Sequence, residues 1–387
     1  MTAADKIRSM RNKVAIVGVG ASPQGTVPGS TSISLAVTAF KRALDDAGLK
    51  KDSIDGLLTM PGTTSPERSD NYLRLGEVLG IDAKFTGSLT MGGSTAGALV
   101  QQAALAIDAG MATTVACVMG DAAKSGNSRF AMAGGWSDSW GIWGMFSAAA
   151  NSAITASRHM ALYGTTSRQL GEVAVACRHH ASLNPDAVMQ KPITIEDHQK
   201  SRFVVEPFRL LDCCLISDGG ACIIVTSAER AKDLRQKPVM LTGFGQAYSA
   251  RTLEREDWWY VPHQKEALER AYAMAGLGPK DVDVAQLYDN FTISVILWLE
   301  HAGFCKLGEG GSYVENGRIR LGGELPVNTA GGNLSESYME GWLHIVEGVR
   351  QMRGKCGPRQ VPDAEVCLVT GRGMKLNTAN AMLLTPS

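Results

Sequence analysis

An internal repeat constrains the fold of this chain more than any other feature. Residues 39–55, AFKRALDDAGLKKDSID, match residues 267–283, ALERAYAMAGLGPKDVD, at a constant offset of 228. Upstream, VAIVGVG (14–20) has a counterpart in VMLTGFG (239–245). An apolar run closed by glycine is typical of a buried strand, and the segment after it has the apolar face of a helix. The repeated unit is therefore predicted to be a strand followed by a helix.

Each half continues in the same order. A glycine-rich turn opens a helical pattern at 92–110 and again at 329–349, and the apolar strands TTVACVMG and EVCLVTG follow. Four ordered matches predict an α/β chain made of two related halves, 1–236 and 237–387. The first half carries an insertion at about 121–236, a length typical of a functional cover.

The insertion includes the tryptophan-rich stretch GGWSDSWGIWGMF. Trp136, Trp140 and Trp143 either line an apolar ligand channel or anchor a packed loop, and the sequence leaves both interpretations open.

Composition excludes several classes of function. Among 387 residues, 38 lysines and arginines balance 38 aspartates and glutamates, so no basic excess favours nucleic acid. No uncharged apolar stretch reaches the length of about 18 residues expected of a membrane span. Eight cysteines without a CxxC pair indicate reduced thiols and a cytoplasmic location. The seven histidines show no metal-ligand spacing, so we expect no metal site.

Taken one at a time, the short motifs constrain the function less than the repeat and the composition do. VGVGAS (17–22) has Pro23 where a dinucleotide fingerprint needs glycine. Cys213 and Cys214 precede a buried strand, where packing is the commoner role of a thiol, and His179-His180 lie on an amphipathic helix. Tyr288 in LYDNF and Tyr338 in GGNLSESYMEGW stand where α/β proteins place chemistry, although each alone is also compatible with core packing.

The chain resembles the thiolase superfamily, and most of all its lipid-transfer-protein branch of sterol-carrier-protein-type thiolases. The resemblance covers nearly the whole chain and rests on GSTAGAL, LLDC with SDGGA, the run from LYDNF through AGFCKLGEGGSYVENG, and VNTAGGNLSESY. It implies two βαβαβαββ halves in a five-layer α/β/α/β/α sandwich, usually dimeric.

The departures from the thiolase pattern are informative. The nucleophilic cysteine falls on Gly92, or on Gly93 if the register shifts by one. The histidine of the HDxF-like motif is replaced by Tyr288, and the histidine of the GHP motif by Tyr338. The final catalytic cysteine corresponds to Val369. Without these groups, thiolysis through an acyl-enzyme is chemically implausible.

Two tyrosines in place of two histidines resemble the thiolase-superfamily aldolases that cleave steroid side chains. That resemblance implies Tyr288 and Tyr338 as the catalytic pair in a retro-aldol split of a β-hydroxyacyl-CoA. For a steroid substrate the products are a 17-ketosteroid and propionyl-CoA. Backbone N–H groups of Gly371 and of Gly92 or Gly93 are expected to stabilise the enolate.

The same resemblance implies no cofactor beyond the CoA of the substrate. It also implies a homodimeric core that binds a small OB-fold, zinc-ribbon-type partner protein to form a heterotetramer. The sequence does not fix which tyrosine is the base, which acyl-CoA is cleaved, or which residues contact CoA.

Two alternatives of other classes stay open. The chain is a non-catalytic, degenerate thiolase that holds acyl-CoA or lipid, or it is an acyltransferase subunit with an unrecognised nucleophile such as Cys213. No lysine lies in the site motifs, which disfavours a Schiff-base aldolase. The lack of a histidine cluster disfavours a metal-dependent one.

Overall fold

A computed structural model describes residues 8–65, 69–128, 147–249, 256–373 and 378–387. The strands in these ranges are β1 (Val14–Ala21), β2 (Gly56–Pro61), β3 (Phe85–Ser88), β4 (Thr114–Ala122), β5 (Phe203–Val205), β6 (Phe208–Arg209), β7 (Asp218–Ser227), β8 (Val239–Tyr248), β9 (Val284–Gln286), β10 (Cys367–Gly373) and β11 (Thr378–Pro386).

The helices in the same ranges are α1 (Ser32–Ala47), α2 (Asn71–Leu79), α3 (Thr95–Asp108), α4 (Ala148–Tyr163), α5 (Ser167–Ser182), α6 (Ile195–Lys200), α7 (Ala228–Ala231), α8 (His263–Ala275), α9 (Thr292–His301), α10 (Gly310–Tyr313), α11 (Gly332–Ser335) and α12 (Trp342–Met352). Among these described helices, none has the length and apolar character required to cross a bilayer.

The strand order repeats the duplication. The first half forms β3-β2-β4-β7-β1 and the second forms β8-β11-β10-β9, so that β9, β10, β11 and β8 stand where β2, β4, β7 and β1 stand. In both halves the first of these neighbouring pairs is parallel and the next two are antiparallel. A short antiparallel contact between β1 and β8 joins the halves into one nine-stranded sheet.

Helices form three layers around the two half-sheets. The helix α1 packs on strands of the first half, and α8 packs on β8 and β11 of the second. The helices α3 and α12 contact strands of both halves, and their apolar faces share one core with both half-sheets. This order of layers confirms the five-layer thiolase fold that the resemblance implies.

The offset of 228 residues between the two sequence repeats also separates the matching elements of the structure. The helix α1 ends at Gly48 with φ 68°, and α8 ends at Gly276 with φ 65°. Both glycines take the left-handed conformation that closes many helices. The strands β2 and β9 then begin at Gly56 and Val284, which are themselves 228 residues apart. The repeat therefore predicted matching element boundaries and not only matching element types.

Glycines in β1 and β8 explain why the two apolar runs look alike. A methyl group at Gly18 would collide with the carbonyl oxygen of Ala43, and one at Gly243 would collide with that of Ala271. The backbone of β1 is therefore in direct contact with the backbone of α1, and that of β8 with the backbone of α8. The VGVG sequence serves this close packing of a strand against its helix.

The predicted insertion needs a correction. The sequence predicts it at about 121–236, but β7 (Asp218–Ser227) within that range is a central strand of the first half, paired with β4 on one side and β1 on the other. The reason is that its apolar residues are buried and complete the half-sheet. Trp136, Trp140 and Trp143 lie outside the described residues. The proposed boundary at 236/237 falls in the connection from β7 to β8.

We expect Gly243→Ala to lower the free energy of unfolding by about 1–3 kcal/mol, because the new methyl group forces α8 away from β8. Gly278→Ala is the matched control, since a methyl group there has nothing nearer than a carboxylate oxygen at 3.9 Å. Urea unfolding of both variants measures the difference. Equal stability of the two variants would contradict the close packing.

Candidate active site

A cavity with a volume of about 570 Å³ lies between the two halves of the described chain. That volume is in the range of small-molecule sites, which are mostly apolar with a few converging polar groups. Its apolar and glycine lining includes Met60, Pro61, Gly92, Gly93, Ala148, Val204, Leu210, Leu215, Ile216 and Phe291. Its polar lining includes Tyr288, Tyr338, Glu340, Asn290 and Arg372.

The two tyrosines singled out in the sequence meet in this cavity. Tyr288 follows β9, and Tyr338 lies in the turn between α11 and α12. Their hydroxyl oxygens are 3.2 Å apart, within hydrogen-bond distance. Tyr288 is only 2% exposed, and Tyr338 is partly buried. The structure thus brings together two residues that are 50 positions apart in the chain.

The polypeptide around Tyr288 is held by side chains on neighbouring segments. The N–H of Tyr288 donates to Thr370 Oγ1 at 3.0 Å, and the N–H of Leu287 donates to Asn328 Oδ1 at 2.7 Å. Asn328 in turn accepts through its carbonyl oxygen from His180 Nδ1 at 3.2 Å. Each bond fixes the strand end in one position, so the phenol enters the cavity at a defined angle.

Asp289 joins the segments that carry the two phenols. Its carboxylate accepts from the N–H groups of Asn333 and Leu334 at 2.9 and 3.3 Å, and from His344 Nε2 at 2.9 Å. Asn333 and Leu334 belong to α11, just before the turn that carries Tyr338. Because Asp289 is fully buried, this network ties the turn rigidly to the residue next to Tyr288.

Gly93 leaves no room for a side chain beside Tyr288. A Cβ atom built at Gly93 would fall within the ring of Tyr288, and would overlap its Cζ, Cε2 and Oη atoms. Any side chain at this position therefore excludes the observed position of the phenol. The cavity also includes Gly92, whose φ is 55°, in the left-handed region that favours glycine.

Burial sets the protonation of the pair. Desolvation raises the pKa of both phenols well above the ordinary value, and the Glu340 carboxylate raises both further. Tyr288 differs from Tyr338 in having two opposing influences: the hydrogen bond from Tyr338 and the charge of Arg372 both favour its ionised form. At neutral pH both residues are therefore neutral phenols.

The cysteines and histidines singled out in the sequence lie in surroundings that favour structural roles. Burial raises the pKa of Cys213 to about 12, and that of Cys214 rises well above its usual range. Thiols of this kind are poor nucleophiles. Burial lowers the pKa of His180 to about 4, and its Nε2 accepts from the N–H of Leu321 at 3.0 Å. His180 is thus a neutral residue that supports the backbone, while His179 is exposed.

The predicted oxyanion donors differ in whether they line the cavity. Gly92 and Gly93 line the cavity, whereas Gly371 lies against Gly93 and Asn380, and the next residues on β10, Arg372 and Gly373, line it instead. The sequence reading missed Arg372, Glu340 and the linking role of Asp289. The available signal was a charge inside an otherwise apolar or glycine-rich stretch, as in VTGRG and SYMEGW.

Within the described part of the chain, no three histidine, cysteine, aspartate or glutamate side chains form a group that could hold a metal. The arrangement is a largely apolar cavity whose polar groups include two hydrogen-bonded phenols, the Glu340 carboxylate and the Arg372 guanidinium. Such groups can pass protons and stabilise negative charge, and the fold around them is that of a thiolase.

Comparison with known proteins agrees with the assignment of a thiolase fold. The family described as thiolase C-terminal domain-like matches residues 245–386. A 17-hydroxy-3-oxo-4-pregnene-20-carboxyl-CoA lyase of Mycobacterium tuberculosis is 40% identical over 367 residues, which cover 89% of this chain and 92% of that protein. A steroid side-chain-cleaving aldolase of Thermomonospora curvata is 37% identical over 93% of this chain and 95% of its own length.

A solved structure of an Ltp2-ChsH2(DUF35) aldolase superposes with a TM-score of 0.89 at 35% identity, over 97% of this chain and 98% of that one. The chain belongs to the thiolase superfamily and, within it, to the family of the steroid side-chain-cleaving aldolases.

In Gly93→Ala, we expect the Tyr288 ring to be displaced and its hydrogen bond with Tyr338 to be lost, since the methyl group and the ring would occupy one volume. A crystal structure of the variant measures the distance between the hydroxyl oxygens. Gly87→Ala is the control, because a methyl group there meets only Leu58 at 3.9 Å. A distance still near 3.2 Å in Gly93→Ala would contradict this steric interpretation.

Cys213 should resist alkylation by iodoacetamide at pH 8 in the folded protein, because a pKa raised to about 12 leaves little thiolate. Mass spectrometry of the folded and the urea-unfolded protein measures the contrast. Rapid labelling of folded Cys213 would contradict the expectation and would favour the acyltransferase alternative.

Proposed function

We propose that this protein is a lyase that cleaves a β-hydroxyacyl-CoA by a retro-aldol reaction, with a steroid side-chain CoA thioester as substrate. The observation that carries the proposal is the pair of phenol hydroxyls 3.2 Å apart in the cavity, in a position that excludes a nucleophile at Gly93. For a side chain on a tertiary C17 alcohol, the products are a 17-ketosteroid and propionyl-CoA.

The reaction moves one proton and one electron pair. The hydroxyl proton leaves the β-oxygen as the Cα–Cβ bond breaks, the β-carbon becomes a ketone, and the bond's electrons form the enolate of the CoA thioester. A proton then reaches Cα and gives the saturated thioester. No acyl-enzyme forms, so no cysteine is required. The thioester itself accepts the electrons, so the step needs no cofactor.

The tyrosine pair suits a relay of neutral phenols. In this relay Tyr338 donates the hydrogen bond that joins the two hydroxyls, which the distance of 3.2 Å allows. In one concerted transfer, Tyr338 takes the proton of the substrate hydroxyl and passes its own proton to Tyr288, while Tyr288 releases its proton towards Cα. Each phenol is neutral before and after the reaction, and this agrees with the raised pKa of both.

The surroundings support this assignment over other aldolase mechanisms. Among the described cavity-lining residues there is no lysine, which disfavours a Schiff base with the substrate. The apolar walls formed by residues such as Leu210 and Ile216 fit a fused hydrocarbon ring system. Both side chains are also partly exposed, at 46% and 41%, so the apolar wall continues to the surface.

We propose further that the working enzyme contains a second protein. The Ltp2-ChsH2(DUF35) aldolase is named for two components, and the present chain aligns with 98% of one of its chains. A homodimer of this chain carrying a small OB-fold, zinc-ribbon-type partner, as a heterotetramer, is the assembly we expect. All eight cysteines are free of disulfides, which suits a cytoplasmic location. Co-expression followed by size-exclusion chromatography tests the assembly.

Tyr288→Phe and Tyr338→Phe should each lower kcat by about 10²- to 10⁴-fold, the usual contribution of positioned proton transfer. Because the relay works as a unit, the double variant should be no slower than the slower single variant. Formation of the ketone and of propionyl-CoA is measured by mass spectrometry with the partner protein present. Thermal unfolding controls for folding. Near-normal turnover in both single variants would refute the assignment.

The pH dependence follows from the raised pKa of both phenols. Groups whose pKa lies above about 10 stay protonated at neutral and mildly alkaline pH. We therefore expect kcat/KM to be flat between about pH 6.5 and 9. A tenfold rise per pH unit in this window would instead indicate a phenolate as the base.

A non-catalytic acyl-CoA carrier remains the second candidate, because every thiolase catalytic group is missing. It predicts tight binding of the β-hydroxyacyl-CoA with no ketone formed, even with the partner present. Binding measured by calorimetry, together with the product assay, separates a carrier from a lyase.

A further inference from the structure

Arg372 is a buried charge in the cavity that the tyrosine relay does not use. It lies on β10 and is 2% exposed. Its Nη2 donates to Ser152 Oγ at 3.5 Å, and among the described residues its Nη1 has no hydrogen-bond partner. A buried guanidinium with an unfilled donor is costly unless an oxygen arrives to accept from it. The vacant donor therefore points to a ligand oxygen.

The position of Arg372 on its strand places that donor beside the reacting groups. Side chains alternate along a strand, so Arg372 lies on the same face of β10 as Thr370. Thr370 Oγ1 accepts from the N–H of Tyr288 at 3.0 Å, and Arg372 lines the cavity together with Tyr288. The guanidinium and the phenol thus face the same space.

The cavity also requires a positive charge for the proposed reaction. Glu340 lines it, is 8% exposed and disfavours negative charge on both phenols. The enolate adds a second negative charge in the same enclosed space. Gly371, the expected backbone donor, is not among the cavity-lining residues. Arg372 is the buried cation that can offset this charge.

We propose, on the basis of the retro-aldol function above, that Arg372 is the catalytic residue that stabilises the enolate. Its Nη1–H donates to the thioester oxygen of the substrate, and the bond strengthens as the Cα–Cβ bond breaks and charge develops on that oxygen. The guanidinium keeps its proton throughout, and the proton for Cα comes from the tyrosine relay.

The protonation of Arg372 is compatible with this role. Desolvation lowers its pKa to about 10, and the negative charge of an ionised Tyr288 opposes that shift. The group is still cationic at neutral pH.

The first test is kinetic and uses the full chain with its partner protein. Arg372→Gln should lower kcat by about 10²- to 10³-fold, as removal of one oxyanion donor does elsewhere, with a smaller change in KM. Arg372→Lys should recover part of the loss because it restores the charge without the fork of donors. Arg270→Gln is the matched control, a charge removed from an exposed pair with Glu266 on α8. Thermal unfolding of each variant reports on folding.

The second test measures contact with the oxygen directly. Propionyl-CoA has the thioester oxygen, and its thioether analogue, S-propyl-CoA, lacks it. The wild-type protein should bind propionyl-CoA about tenfold more tightly, since hydrogen bonds to charged groups are among the stronger ones. Arg372→Gln should lose this preference and Arg270→Gln should keep it. A purely structural role of Arg372 would leave the preference unchanged.

The outcomes separate this inference from the proposed function. If the wild-type complex forms the ketone and Arg372→Gln keeps its kcat or its preference for the thioester, the role of Arg372 is refuted and the lyase stands. If alkaline pH restores the kcat of Arg372→Gln, the residue acts through Tyr288 and the inference is also refuted. If the wild-type complex forms no ketone, the lyase proposal fails, while the binding ratio still reports on Arg372.

Discussion

The placement of both phenols depends on one buried carboxylate. Asp289 holds the first turn of α11 and His344 at the same time, and it is the direct neighbour of Tyr288 in the chain. Without these bonds, two backbone N–H groups and an imidazole would be buried without their acceptor. The turn carrying Tyr338 would then no longer be held in a fixed position relative to Tyr288. The 3.2 Å contact between the phenols is thus a product of the surrounding hydrogen bonds and not of the tyrosines alone.

The two halves of the chain divide the work in the pocket. The first half supplies the glycines just before α3, whose lack of a side chain leaves space for the Tyr288 ring. The second half supplies the phenols and the guanidinium. The middle layer of helices brings these contributions together, because α3 and α12 both pack between the half-sheets. Duplication therefore gave the protein two copies of one architectural unit, and the chemistry arose from making the two copies different.

Much of this organisation was predictable from the residues. The repeat gave the strand–helix units and their offset, since close packing of glycine strands on alanine-bearing helices leaves a pattern that both halves keep. The family resemblance gave Tyr288 and Tyr338, and the structure brings them together. The end of the insertion was misplaced, because the strand β7 is apolar throughout and carries no local mark of which half-sheet it joins. Arg372 and Glu340 were missed because burial of a charge is a property of tertiary packing, and a single charged residue in a strand or turn does not reveal it.

Gly93 also bears on how a thiolase-like ancestor could have changed its chemistry. A cysteine at this position and the phenol of Tyr288 compete for one volume, so a chain holding both would have neither group correctly seated. A side chain at position 93 had to be absent before the ring of Tyr288 took its present position, or had to be lost together with that change. For the same reason a lone Gly93→Cys change cannot restore the older reaction. The occupancy of position 93 and the position of the Tyr288 ring are therefore coupled, and no single substitution at Gly93 leaves the ring where it is.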